Sequence, residues 1–175
     1  PLEMTGVALT TASVLSERRV NRLLDPDLSR GLPAFLTNRA GFMSGLMIGQ
    51  YTQAALVAEN RVLANPAATG SIPAAGGQEN FVSMGMTTAL KTAQMLDNSW
   101  YILAIELMSA AQAMDHRKPH KPGKGTMAAY EYIRTLIPFM EKDMIVSDQV
   151  EKLKADIQST MGLLDAAKSA VGHLD

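Results

Sequence analysis

Apolar residues recur at three- and four-residue spacing from the first positions of the chain. Val7, Ala8, Ala12, Leu15, Val20, Leu23 and Leu24 predict an amphipathic helix over residues 2–24. Asp25-Pro26 closes it, because a proline drives the preceding residue toward extended geometry. Residues 26–40 read as a connector broken by Pro26, Gly31 and Pro33. A second helix is expected over 42–64. It is nearly apolar all round through Leu46, Met47, Ile48, Tyr51, Ala54, Ala55, Leu56 and Val57, which predicts burial on most faces. Asn65-Pro66 stops it, and residues 66–77 follow as a loop of small, uncharged residues with Pro66, Gly70, Pro73, Gly76 and Gly77. Such a composition suggests close packing or a pocket wall rather than a solvated linker.

A third helix is expected from Gln78 or Val82 to Asp115. At about 1.5 Å per residue it reaches about 50 Å, more than a small domain can cover, so partners along its length are implied. Residues 116–125 form a basic loop with Pro119, Pro122, Gly123 and Gly125. A shorter helix runs from Thr126 to about Ile137, where Pro138 disturbs it. The last helix starts at Ser147 as N-cap, carries Asp148 and Glu151 in its first turn, and runs to Val171 before Gly172. The pattern predicts an all-α chain, a long-helix bundle forming a single helical region over 1–175, with three helices of more than 20 residues.

Composition narrows the picture. Aromatic residues are only 5%, which favours helix over sheet, and 47% apolar with 19% charged excludes a disordered tail. Sixteen basic against 17 acidic residues give a net charge of −1, which argues against a nucleic-acid partner. The absence of cysteine rules out disulfides, thiolate metal sites and cysteine nucleophiles, and fits a reducing compartment; a cytoplasmic location is expected. No membrane association is expected. The most apolar stretches, 42–48 and 102–108, fall well short of the roughly 20 residues a span needs. No basic stub precedes an apolar core at the N-terminus, so no signal peptide is expected, and Pro1-Leu2-Glu3-Met4 reads as a chain entered partway.

Candidate chemistry is sparse. Of the three histidines, His116, His120 and His173, the first two stand four apart, but Pro119, Pro122 and Gly123 oppose a helical ligand pair, and no metal site is expected. Neither a Gly-x-Ser-x-Gly elbow nor a phosphate loop occurs. Arg18, Arg19 and Arg22 near a helix end read as end stabilisation or subunit salt bridges rather than substrate ligands. The most informative cluster is Gly76-Gly77-Gln78-Glu79-Asn80, where polar side chains follow two glycines between an apolar loop and a long helix. By position alone it reads first as an N-capping cluster, and second as a polar mouth with anion-friendly amides.

At these residues the chain resembles the C-terminal part of the aromatic amino-acid ammonia-lyase and aminomutase family. The blocks that carry the resemblance are Ser16-Glu17-Arg18-Arg19 with Arg22-Leu23 and Asp25; Gly31-Leu32-Pro33-Ala34-Phe35-Leu36; Ser44-Gly45-Leu46-Met47-Ile48-Gly49-Gln50-Tyr51-Thr52 through Glu59-Asn60; and Ser71-Ile72-Pro73 through Gln78-Glu79-Asn80-Phe81-Val82-Ser83-Met84-Gly85. Leu103–Leu107 and Ala111–Arg117 extend it, so the match is strong over about 1–117 and general beyond.

The resemblance implies an enzyme that eliminates ammonia from an aromatic L-amino acid, or moves its amino group from the α to the β carbon. It implies methylidene-imidazolone (MIO) as electrophile, formed from an Ala-Ser-Gly tripeptide that this sequence lacks, and a catalytic tyrosine base supplied from elsewhere. It therefore implies an N-terminal part as partner, a homo-oligomer, typically a tetramer with shared active sites, and no lyase activity from this chain alone. In Gly77-Gln78-Glu79-Asn80, Glu79 matches the glutamate that approaches substrate in histidine-type enzymes, with Gln78 beside it. A carboxylate suits an imidazole, which donates an N–H or carries charge. Gly77 and Asn80 stand where asparagine and aspartate are usual, and Met43 where another asparagine is usual. Histidine, tyrosine and phenylalanine lyases, 2,3-aminomutases, and a non-catalytic helical assembly module all stay open.

Overall fold

The computed structural model describes residues 1–172, so His173 lies outside the described residues. Six helices and no extended strand occur among them: α1 (Leu2–Leu24), α2 (Met47–Leu63), α3 (Gly85–His116), α4 (Lys124–Leu136), α5 (Val146–Ser159) and α6 (Gly162–Val171), with short 3-10 turns at Ala34–Leu36 and Ala75–Gly77. The all-α expectation holds. None of the helices is long and apolar enough to cross a membrane.

α3 is the axis, and at 32 residues it extends about 48 Å. α1 runs parallel to it: Ser13 Oγ lies 3.1 Å from Ser99 Oγ, and further along Arg19 meets Glu106 at 2.5 Å. α2 runs antiparallel to α1, with Gln53 against Ser16 and Asn60 against Ser13. α5 runs antiparallel to α3, with Glu151 accepting from Tyr101 and Lys154 pairing with Asp97 at 2.8 Å.

The core has two halves. Val20, Leu24, Leu36, Leu46, Ile105, Met108, Ile133, Ile137, Met140 and Leu153 form an apolar core around the C-terminal half of α3. The other half, where α1, α2 and α3 meet, is polar: Thr10, Ser13, Gln53, Asn60, Thr92 and Asn98 are buried. Asn98 Nδ2 donates to Asn60 Oδ1 at 3.0 Å, and Gln53 Nε2 donates to the Ile102 carbonyl at 2.9 Å. Such residues are tolerated inside because each makes at least one hydrogen bond there, although Gln53 Oε1 is left without a partner among the described residues.

Several boundaries move. α2 starts at Met47, not Phe42, because Gly45 takes φ +56 and the Ser44 and Gly45 amides donate to Asp143, each at 2.9 Å, instead of entering a helix. α2 is not buried on most faces: Gly49, Gln53, Val57 and Asn60 form its buried stripe, while Ile48, Tyr51 and Val62 are exposed. The final helix is two. α5 begins at Val146 without a side-chain cap from Ser147 and stops at Ser159, and α6 returns against α4. Only α1 and α3 exceed 20 residues among those described, not three helices.

Candidate active site

Gln78 and Glu79 lie not on α3 but in an irregular segment, 66–84, between α2 and α3. Three consecutive residues in the left-handed region, Ala75 (φ 53), Gly76 (φ 65) and Gly77 (φ 85), turn the chain just before them. Glycine adopts this geometry freely, which is why two glycines stand here, whereas Ala75 is held there at some steric cost. The turn is closed by the Ala74 amide donating to the Glu79 carbonyl at 3.0 Å and the Glu79 amide donating to the Ala74 carbonyl at 3.3 Å. Further out, the Val82 amide donates to Ser71 Oγ at 2.8 Å.

Both side chains are exposed, and the Glu79 carboxylate has no hydrogen bond or ion pair among the described residues. α3 begins at Gly85, six residues after Glu79, behind a left-handed Met84 and with no side-chain cap. The capping reading of this cluster therefore fails on geometry, and so does the second reading, an anion-friendly helix terminus at residues 76–80. The loop is not a tightly packed wall either. No residue from 66 to 87 is buried, and Ile72 and Phe81 project at 68% and 82% exposure.

The other candidates have structural work. Arg18 pairs with the buried Glu17, and Arg19 with Glu106 of α3, both within the chain. His116 donates from Nε2 to the Leu36 carbonyl at 3.0 Å and lies edge-on to Phe139, tying the end of α3 to the 34–36 turn. Among the described residues no three histidine, aspartate or glutamate side chains gather as metal ligands.

Two residues that sequence reading passed over meet at the base of the loop. Glu3 Oε1 accepts from the Ala67 amide at 2.8 Å and the Ala68 amide at 3.3 Å, and Glu3 pairs with Lys91 at 2.6 Å. Lys91, then burial acting in opposition, then Thr88 and the two amides, hold the Glu3 carboxyl at about 2, well below its ordinary 4.5. No local pattern could have revealed this, since the partners are 64 or more residues apart.

Residues 1–135 match the family model described as aromatic amino acid lyase. An all-helical chain with an axial helix and a protruding loop fits that match: the chain belongs to the aromatic amino acid lyase family. It is similar to a histidine ammonia-lyase from Gloeobacter violaceus, 46% identical over 99% of this chain and 34% of the relative. It superposes on a histidine ammonia-lyase from Trypanosoma cruzi with a TM-score of 0.92 at 34% identity, covering 98% of this chain and 34% of that one. A tyrosine aminomutase from Streptomyces globisporus gives the same TM-score of 0.92 at 36% identity, covering 98% of this chain and 33% of that one. The chain spans about a third of the length of the curated relatives it matches.

Proposed function

We propose that this chain is the C-terminal part of an ammonia-lyase that eliminates ammonia from L-histidine to give urocanate. The observation that carries the reading is the 46% identity to a histidine ammonia-lyase across nearly the whole chain. In this reading the 66–84 loop forms one wall of an active site closed by the N-terminal part of the enzyme and by other subunits of a tetramer. Glu79 accepts a hydrogen bond from the substrate imidazole and, when the ring is protonated, pairs with its charge. Gln78, beside it, offers both an amide donor and an acceptor for orienting the substrate.

MIO would supply the electrophile of the complete enzyme, but this chain does not fit it as a source: no Ala-Ser-Gly occurs in the 175 residues. The contribution assigned to the chain is therefore binding and orientation. The likeness to a tyrosine aminomutase favours a second reading, in which the same wall receives tyrosine and the complete enzyme is an aminomutase.

The test joins this chain to the N-terminal part of its enzyme and assays histidine, tyrosine and phenylalanine side by side. The expected result is urocanate formed from histidine at the highest kcat/KM. A β-amino acid or coumarate from tyrosine as dominant product would replace the histidine reading by the second.

A further inference from the structure

The loop that presents Gln78 and Glu79 is almost detached from the helices. Its hydrogen bonds between Ala74 and Glu79 and between Ser71 and Val82 close it only on itself. Its two ends are the exception, and both are held at one carboxylate. Glu3 Oε1 accepts from the amides of Ala67 and Ala68, where the chain leaves α2, and from Thr88 Oγ1 at 2.8 Å, in the first turn of α3. Lys91 pairs with Glu3 and also donates to the Asn65 carbonyl at the end of α2. Ala68, Ser83 and Gly85 line a small cavity of about 220 Å³ together with Pro1, Leu2 and Glu3, so the entry and exit of the loop meet there. Among the described residues, Glu3 is the one side chain of a helix that hydrogen-bonds to residues 66–83.

We propose that Glu3, held by Lys91, is a positioning residue: it fixes both ends of the 66–84 loop and thereby sets where Gln78 and Glu79 stand in the assembled enzyme. The proposal rests on the reading of that loop as a wall of the active site. A surface ion pair would do little of this kind, because solvent competes for both partners. Here the two side chains are only 21% and 11% exposed, and four donors from two parts of the chain, the root of the loop and the start of α3, converge on one carboxylate. Removing it leaves two amides at the loop's root without their acceptor, and nothing else among the described helix side chains ties the loop down.

The experiment uses the complete enzyme carrying Glu3→Ala, with Lys91→Met read in the same way should Glu3→Ala fail to fold. Hydrogen exchange followed by mass spectrometry reports the loop directly and needs no substrate. Exchange across 66–84 is expected to rise roughly tenfold or more while the middle of α1 and α3 stays protected. kcat/KM is expected to fall roughly tenfold, through misplacement of groups the variant does not remove. In an enzyme already carrying Glu79→Gln, the further loss from Glu3→Ala is expected to shrink to about twofold or less, because the two residues act through one position. Unchanged loop exchange overturns the proposal, as does a loosened loop with unchanged kcat/KM. A kinetically silent Glu79→Gln beside a Glu3→Ala that loosens the loop and slows turnover overturns the role given to Glu79 and upholds Glu3 as the residue that places the loop.

Discussion

Glu79 is a carboxylate on an exposed turn with no partner in its own chain, and its backbone is pinned by two hydrogen bonds to Ala74. A side chain that supports nothing in its own fold can be changed without unfolding it. Glu79→Gln in the complete enzyme is therefore expected to leave the melting temperature unaltered. It should lower kcat/KM for histidine by about 2–4 kcal/mol, tens- to about a thousand-fold, with a smaller loss for tyrosine or phenylalanine. Steady-state kinetics on all three amino acids checks this. Glu3 predicts differently because its carboxyl is depressed from 4.5 to about 2 by Lys91 foremost. A depressed carboxyl contributes stability that is fully present above its unfolded value and is lost as pH falls through the folded one. The stability difference between wild type and Glu3→Gln is thus expected to be constant above pH about 5 and to fade from about 4.5 to about 2, read by denaturant titration across that range.

The helices meet through faces that hydropathy does not pick out. On α1 the buried residues include Gly6, Thr10, Ser13 and Ser16, while Met4, Val7 and Leu15 are exposed. On α2 the buried polar pair is Gln53 and Asn60. Small and hydrogen-bonding residues let these helices come close and satisfy one another. Asn60 reaches Ser13, Asn98 and Ser99 at 3.0–3.5 Å, so Asn60→Ala is expected to cost about 2–4 kcal/mol by removing an acceptor and a donor from a buried network. The turn between α5 and α6 is likewise packed against a distant residue, Tyr132 of α4. The Tyr132 ring lies directly over Gly162, and its hydroxyl donates to Asp156 at 2.9 Å, so there is no room for a side chain where the helix doubles back. Gly162→Ala is expected to cost about 1–3 kcal/mol by overpacking and to raise hydrogen exchange in α6 first, with α3 unaffected.

At the scale of the whole molecule, an axial helix about 48 Å long carries an apolar core along only half its length. Large apolar side chains on α1 and α2, with Met86 and Leu90 on α3, face outward. A face of that extent calls for cover, and the proposed tetramer with its N-terminal parts would provide it. The chain by itself is accordingly expected to scatter light at a mass well above its 18.8 kDa. It is also expected to form no urocanate, coumarate or cinnamate when purified alone, which near-ultraviolet absorbance would show directly.

The sequence by itself determined the helical class, the breakers at Asp25-Pro26 and Asn65-Pro66, and the family, because these depend on local spacing and on blocks of residues in order. It also marked Gln78 and Glu79, and the glycines before them do adopt the left-handed geometry that only glycine takes without cost. It misjudged which faces are inside. Apolar periodicity reports every surface a helix must eventually cover, without distinguishing neighbours in this chain from those beyond it. It also drew the last helix through Gly162 and began the long one at the candidate site. A helix ends where tertiary contacts offer its backbone and side chains something better, and those contacts lie far away in sequence. Asp143 taking the amides before α2, Tyr132 closing over Gly162 and Glu3 gathering both ends of the 66–84 loop were decided only by the tertiary structure.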